Sequence, residues 1–167
     1  MTSRKKPETD ERLNHYGSNY HRALNSALRI LTGRDHSKYE LTRKLKQRNF
    51  KPEDIEKAVS ECIRLDYIND ERTARVYIRQ LIRKGYGVKR IRHDMNKKGL
   101  WEKQVQNILS ETFSDADEHD SAVNVLKKNI RRFERESDPK KRRNKIYRFF
   151  YARGFSQETI RKLMNNS

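Results

Sequence analysis

The chain has 167 residues, of which 33% are hydrophobic and 38% are charged, and its formal net charge is +17. Globular proteins usually have ~45–50% apolar and ~25% charged residues, so this chain can build only a thin core, which suits long helices or stacked repeats better than a compact ball. The chain has only six glycines and three prolines, too few for the frequent turns of a β-sandwich or β-barrel. The excess of 40 lysines and arginines over 23 acidic residues favours a polyanionic partner, for which nucleic acid is the first candidate and an acidic membrane surface the second.

Residues 1–17 are predicted to form a flexible basic and polar tail. Its opening stretch, MTSRKKPETDER, lacks the apolar core of a signal peptide, and no apolar run in the sequence approaches the ~18 residues of a membrane-spanning helix. Cys62 is the only cysteine, which excludes a disulfide framework and a cysteine-rich zinc site. Its helical spacing to Val59 and Leu65 predicts a small buried hydrophobe. We therefore expect a cytoplasmic protein.

Three stretches of the chain share one spacing of apolar residues. They begin at Leu41, Ile91 and Ile146, and successive apolar anchors are separated by four, five, five and four residues each time. A step of four keeps residues on one helical face, and the recurring steps of five cross a helix stop. The anchors are Leu41, Leu45, Phe50, Ile55, Val59; Ile91, Met95, Leu100, Val105, Leu109; and Ile146, Phe150, Phe155, Ile160, Met164.

The same structural helix joint is predicted at Asn49, Gly99 and Gly154. Glycine, and next to it asparagine, tolerates the left-handed conformation that closes a helix. Each joint residue follows a lysine or arginine, whose charge suits the negative end of the helix dipole. Helix starts are predicted at a capping box of Ser37 and Glu40, at Pro52, at Asp138-Pro139 and at Ser156.

These signals predict an all-α protein of nine helices in three tandem three-helix repeats. The repeats are assigned to residues 18–67, 68–114 and 115–167. Because only neighbouring repeats touch in such a tandem array, we expect an elongated, curved molecule, and the sequence leaves both right- and left-handed winding open.

Basic residues crowd the middle helix of each predicted repeat. At ~100° per residue many of them point away from the apolar anchors, and repeats stacked in register would align them into a stripe along one side. We interpret this stripe as the contact surface for a nucleic-acid backbone or an extended filament, although the same charges would also keep a thin-cored protein soluble. The contact candidates are Arg43, Lys46, Tyr86, Lys89, Arg90, Arg92, Lys97, Arg142, Arg143, Lys145 and Arg148.

Tyr86 joins this set because it lies between two glycines and can present an exposed ring to a base, and Tyr151 is comparable.

The five histidines have no recurring carboxylate partner or metal-ligand spacing, and the GYG stretch lacks the continuation of a phosphate-binding loop. We therefore expect no catalytic residues, no metal and no cofactor, and the protein is predicted not to be an enzyme.

Four stretches between Ala27 and Phe155 resemble the RecX family of recombination regulators: ALRILTGRDHSKYELTRKL, YINDERTARVYI, RKGYGVKRIRHDMNKKG and RFFYARGF. Family motif residues match at Arg34, Asp35, His36, Ser37, Glu40, Asp70, Gly85, Tyr86, Gly87, Arg90, Arg92, Arg153, Gly154 and Phe155. The chain departs from the pattern at Asn49 and Asp66, where glycine is usual, and at Asn69, which replaces an aspartate.

The resemblance implies tandem three-helix repeats and a bacterial cytosolic protein, which we expect to be a monomer. It implies binding in the groove of the RecA filament on single-stranded DNA, where the protein would limit filament growth and inhibit ATP hydrolysis, strand exchange and coprotease activity. Single-stranded and, in some relatives, double-stranded DNA are further expected partners, and a membrane is not. The alternatives are a helical-repeat protein that acts directly on DNA or RNA, and a charged scaffold without a polyanionic partner.

Overall fold

The computed structural model describes residues 9–100 and 103–165, and over these residues the chain forms nine α-helices and no strand. The all-α prediction is confirmed. The helices are α1 (Thr9–Leu31), α2 (Lys38–Gln47), α3 (Pro52–Arg64), α4 (Asp70–Arg83), α5 (Val88–Lys97), α6 (Lys103–Thr112), α7 (Asp115–Glu134), α8 (Pro139–Ala152) and α9 (Gln157–Asn165).

The helices divide into two compact units, the first ending at Asp70 and the second beginning at Glu71. In the first unit, α1 to α3 enclose a core that includes Leu41, Leu45 and the fully buried Cys62, as predicted for that cysteine. In the second unit, α4 to α6 enclose one core around Ile91 and α7 to α9 enclose another around Phe150. Three helices therefore surround each core.

The three predicted joints are confirmed by backbone geometry. Asn49, Gly99 and Gly154 have φ of 60°, 75° and 77°. At each joint the next residue donates its N–H to a carbonyl five residues earlier, as Leu100 does to Met95 at 3.0 Å. This closure satisfies carbonyls that the end of a helix would otherwise leave without partners.

Two further helices end in the same way. Asp66 after α3 and Gly85 after α4 have φ of 55° and 73°, and the N–H groups that follow them, at Tyr67 and Tyr86, bind the carbonyls of Cys62 and Leu81. Asp66 thus adopts the left-handed conformation at the position where the resemblance described above would place a glycine. A short polar side chain tolerates this conformation better than most.

Most of the predicted anchors are buried. The buried anchors are Leu41, Leu45, Ile55, Val59, Ile91, Met95, Leu100, Leu109, Phe150, Phe155 and Ile160. Phe50, Ile146 and Met164 are partly buried and pack against the same cores. The side chain of Val105 lies outside the described residues, as does Trp101, the one residue near the second joint that the repeat spacing leaves unexplained.

The predicted helix starts are also confirmed. Ser37 and Glu40 form a capping box at α2, Pro52 and Pro139 occupy first turns, and the Ser156 hydroxyl accepts the N–H of Thr159 at 3.1 Å. The first helix begins at Thr9, inside the segment assigned to the tail, and residues 1–8 lie outside the described residues. The tail and the limits assigned to each repeat stay predictions.

Gly99 provides a test of the joints. Gly99→Ala is expected to lower the free energy of unfolding by about 1 kcal/mol, because a Cβ disfavours the left-handed conformation. Gly33→Ala is the matched control, since Gly33 lacks a positive φ and an added Cβ there would meet only the Ile30 carbonyl, at 3.8 Å. Urea unfolding of both variants measures the difference. Equal effects at the two positions would contradict the assignment of the joint.

His36 makes the stability of the first unit depend on pH. His36 is buried, and burial is the main reason that its pKa lies below the usual 6.5. The hydrogen bond to the Arg34 carbonyl and the charge of Glu40 oppose this shift in pKa, whereas the charges of Arg34 and Lys44 add to it. Nδ1 lies 2.8 Å from the Arg34 carbonyl, which can only accept, so Nδ1 carries the proton in the neutral ring. The unfolded chain binds a proton at this residue more readily than the folded chain does.

The stabilisation from neutral His36 is therefore present above pH 6.5 and is lost as pH falls below that value. We expect the free energy of unfolding to fall between pH 6.5 and pH 5 with a contribution from His36 of at most about 1.4 kcal/mol per pH unit. Urea titrations at each pH on the wild type and on His36→Gln measure it. An identical slope in the two proteins would show that another group causes the change.

Candidate nucleic-acid interface

The basic candidates on the middle helices lie mainly on the surface. Arg43, Lys46, Lys89, Arg90, Arg92, Lys97, Arg143, Lys145 and Arg148 are exposed. Arg142 is half-buried, and its Nε donates to the Glu136 carbonyl at 2.8 Å. The anchors of the same helices, such as Ile91 and Met95 in α5, are fully buried. That the exposed cations bind a partner stays a prediction.

In the first unit, the exposed cations of α2 differ in their surroundings. The guanidinium of Arg43 lies 6.0 Å from the centre of the Tyr39 ring, whereas Lys46 has no described partner. Arg48, which we assigned to the end of its own helix, donates to the Ser26 hydroxyl of α1. Arg48 therefore also ties the middle helix to the first helix of the unit.

The second unit contains an open groove of about 780 Å³ beside α8, which we call the α8 groove. Its cations are Arg132, Lys141, Lys145, Arg148 and Arg153. Tyr86 and Phe149 supply aromatic surface, and Glu136 is the one acidic residue in the lining. The groove therefore brings three predicted candidates together, Tyr86, Lys145 and Arg148, and adds cations that were not predicted as contacts.

Guanidinium groups and aromatic rings alternate in a series that includes four lining residues of this groove. Arg132 lies 5.5 Å from the centre of the Phe149 ring, and Arg153 lies 4.5 Å from the centre of the Phe149 ring and 5.8 Å from that of the Tyr86 ring. Arg90 lies 5.4 Å from Tyr86. We call this series, Arg132–Phe149–Arg153–Tyr86–Arg90, the arginine–aromatic ladder. Each contact is favourable because a ring face is electronegative.

Arg153 has a different role from the one the sequence suggested. We assigned it to the C-terminal end of its own helix, α8, but its Nη1 donates to the carbonyls of Lys84 and Gly85 at 3.1 and 3.3 Å. These carbonyls lie just beyond the end of α4. Arg153 therefore joins the third repeat to the second, through residues about seventy positions apart in the chain.

Tyr86 is more enclosed than predicted, and Arg90, although exposed, is engaged by its neighbours. Tyr86 is half-buried between the guanidinium groups of Arg90 and Arg153, so it is not the freely exposed ring that its flanking glycines suggested. Arg90 pairs with Asp94 at 3.0 Å, and this hydrogen bond raises the pKa of the guanidinium. Tyr86 and Arg90 therefore stabilise the basic surface through contacts with their neighbours, and they also form part of that surface.

The α8 groove could have been found in part from the sequence. Lys141, Lys145, Arg148 and Ala152 are spaced by four, three and four residues, which places them on one face of α8. Arg132 belongs to α7, and Tyr86 precedes α5, so their approach to this face depends on packing between helices. Helical periodicity carries no information about that packing.

Neither a metal centre nor a membrane span is found in the part of the chain that the structure describes. No group of three or more His, Cys, Asp or Glu side chains there could hold a metal ion. None of the described helices is long and apolar enough to cross a bilayer.

Comparison with protein-family models gives three matches along the chain. Residues 23–62 match the first three-helix domain of RecX, residues 69–108 the second, and residues 116–164 the third. The three matches follow one another in the order of the domains.

Curated relatives described as regulatory protein RecX match this chain over nearly their whole length. The chain is 38% identical over 144 residues to the regulatory protein RecX of Legionella pneumophila (strain Corby), covering 85% of this chain and 92% of the relative. It is 30% identical over 146 residues to that of Haemophilus influenzae (strain PittEE), covering 87% and 94%.

Two solved structures share the fold. The crystal structure of RecX from Lactobacillus salivarius matches with a TM-score of 0.78 and 22% identity, covering 90% of this chain and 97% of that one. Another crystal structure of regulatory protein RecX matches with a TM-score of 0.84 and 18% identity, covering 100% and 83%. The predicted tandem three-helix repeats are thereby confirmed.

Proposed function

The chain belongs to the RecX family of regulatory proteins, and on that premise we propose that it binds the RecA filament on single-stranded DNA and restrains it. The protein acts by occupying the filament groove in the cytoplasm, without a reaction of its own. Occupancy limits filament growth and inhibits ATP hydrolysis, strand exchange and coprotease activity. The partners are the nucleoprotein filament and its DNA.

One observation carries this proposal: α5 presents unpaired cations opposite a fully buried face. Lys89, Arg92 and Lys97 are exposed and make no ion pair within the described residues, while Ile91 and Met95 are 0% exposed. An exposed unpaired cation retains its charge for a polyanionic partner, and electrostatic complementarity both steers and orients such an encounter. The anchored face keeps these cations on a rigid support.

The proposal is tested by the RecA ATPase on single-stranded DNA, with Lys89, Arg92 and Lys97 replaced together by glutamate. We expect inhibition to weaken by at least about tenfold in protein concentration, because the changes place like charges against the filament. Arg90 stays unchanged, since its contacts with Tyr86 and Asp94 would mix a change of packing with a change of binding. Circular dichroism checks that the helices persist.

A matched control replaces Lys57, Arg79 and Lys127 by glutamate. These residues are exposed, lie on other helices and make no described ion pair, so the change in net charge is the same. An equal loss of RecA inhibition in both triple variants would show that the effect comes from net charge and not from the surface of α5. Wild-type inhibition that appears only with protein in excess over DNA, and that disappears when DNA is added, would contradict filament binding.

The second candidate function is direct action on DNA or RNA, and the α8 groove favours it because the groove is basic and partly aromatic. Salt dependence separates the two functions. Binding through phosphates alone weakens with a log–log slope of about −0.7 per contact on single strands, and a partly protein-built contact with a filament is expected to be less steep.

A further inference from the structure

The rim of the α8 groove carries charge that the fold does not use. The side chains of Lys141, Lys145 and Arg148 are exposed, and none of them makes a hydrogen bond or ion pair with the rest of the described chain. They lie on one face of α8, spaced by four and three residues. Repulsion between cations so close together is relieved when an anion with several charges binds across them.

The inner part of the groove is fixed, in contrast to the rim. Arg153 is held by two carbonyls and by the rings of Phe149 and Tyr86. Arg132 continues this arrangement as the end member of the ladder, and it is an exposed residue. Arginine planes in such positions are surfaces on which unpaired bases stack.

A second aromatic surface adjoins the groove on α8. Tyr151 does not line the groove, but it follows Arg148 by three residues in α8 and is therefore a surface neighbour of the rim. It is 57% exposed, and its ring lies 6.0 Å from that of Tyr147 with 15° between the ring planes. An exposed tyrosine pair of this kind is not explained by the core. A strand whose phosphates follow the rim would carry its bases past the free face of Tyr151.

We propose that the α8 groove binds a single-stranded nucleic acid, with consecutive phosphates on Lys141, Lys145 and Arg148 and a base stacked on Tyr151. The combination of a basic groove with aromatic faces is typical of single-strand binding. A duplex has its bases paired and stacked, and an acidic peptide has no rings that need Tyr151. The site deepens the proposed function, on which it rests for its biological setting, but strand binding here requires no filament.

The charge part of the proposal is tested with the full chain and a fluorescently labelled oligothymidine, by anisotropy over a series of salt concentrations. Replacing Lys145 and Arg148 together by glutamine removes two phosphate contacts. We expect affinity at 0.1 M salt to fall on the order of tenfold and the slope of log K against log salt to decrease by about 1.4. A variant that only disturbed the fold would not change the slope in this way.

The control for charge replaces Lys127 and Arg131 by glutamine. Both are exposed residues of α7 outside the groove lining, and the variant has the same net charge as the groove variant. Its slope is expected to stay near the wild-type value. An equal decrease of the slope in both variants would overturn the proposal, because it would indicate diffuse attraction to the whole surface.

The stacking part is tested with Tyr151→Ala, which is expected to weaken binding by about tenfold without changing the salt slope. Tyr67→Ala is the control, since Tyr67 is 53% exposed but lies in the first unit. Unchanged affinity of Tyr151→Ala would overturn the assignment of a base to this ring.

Competition decides between the proposed strand and other anions. Unlabelled oligothymidine should displace the probe at far lower concentration than a hairpin duplex, polyglutamate or inorganic polyphosphate of the same charge. If polyglutamate or polyphosphate competes equally well, the groove is a general anion site and the proposal is wrong. If the duplex competes better, the groove reads paired DNA and the proposal is also wrong. Loss of RecA inhibition is scored separately, so the two proposals fail independently.

Discussion

Replacing Glu118 by alanine is expected to lower the free energy of unfolding by about 3 kcal/mol. Glu118 is a residue of α7 that is only 1% exposed. Its carboxylate accepts the N–H of Val88 at 2.8 Å, the N–H of Ser156 at 3.2 Å and the Thr159 hydroxyl at 2.8 Å. The change would leave three donors at two helix starts without their acceptor.

Urea unfolding measures this loss, with Asp120→Ala as the control. Asp120 lies half a turn further along α7, and its side chain is 84% exposed, so its removal should cost little. Glu118→Gln keeps the size of the side chain but loses its charge and one acceptor oxygen, so it should fall between alanine and the wild type. Equal stabilities of Glu118→Ala and Asp120→Ala would contradict the role given to the buried carboxylate.

Gly87→Ala is expected to cost a similar amount, about 3 kcal/mol, for a steric reason. Gly87 has φ of −85°, so its conformation suits any residue. A Cβ, however, would overlap the backbone of Phe155 and lie 2.5 Å from the Gly154 carbonyl oxygen. Backbone cannot rotate away as a side chain can, so the second and third repeats would have to move apart.

Hydrogen exchange locates the effect of Gly87→Ala. The N–H groups of Gly87 and Lys89 donate to the carbonyls of Arg153 and Gly154, each at 3.0 Å. Separation of the two repeats should therefore speed exchange of the Lys89 amide, while the Leu100 amide, bonded within its own repeat, stays protected. Unchanged exchange at Lys89 would show that the close approach is not required.

The sequence was sufficient for features that depend on neighbours along the chain. The left-handed joints, the capping box at Ser37 and the buried anchors all follow from residues within about five positions of one another. Glycine or asparagine at a helix end, and apolar residues on one face, have nearly the same consequence in any context. The joint at Asp66 was missed because aspartate is a weaker signal than glycine or asparagine for that conformation.

The contacts between the second and third repeats could not be predicted in this way. Glu118 binds groups 30, 38 and 41 positions away, and Arg153 binds carbonyls 68 and 69 positions away. In the sequence, Glu118 is one of several acidic residues in the first turn of a helix, and their favourable interaction with the helix dipole already accounts for an acidic residue there. The close approach at Gly87 is likewise hidden, because its own backbone conformation is ordinary.

Only part of the candidate site could be predicted from the sequence, again because the rest depends on residues far apart in the chain. Exposure of Lys145 and Arg148 follows from helical spacing within α8, and the structure agrees with it. The ladder of arginines and rings requires α7, α8 and the turn before α5 to come together. Composition indicates that a basic surface exists, whereas its division into a rigid inner part and an unpaired rim is a property of tertiary packing.

The carboxylate of Glu118 limits how modular this repeat protein is. Repeat proteins are usually pictured as chains of interchangeable modules, each complete apart from its contact surface. Here one side chain completes the start of α5 in the second repeat and the start of α9 in the third. A chain shortened before α7 would leave the second repeat with an open helix start. If a repeat were gained or lost between the second and third repeats, another residue would have to replace the hydrogen bonds of Glu118. The number of repeats therefore cannot change without a change of sequence at the start of α5.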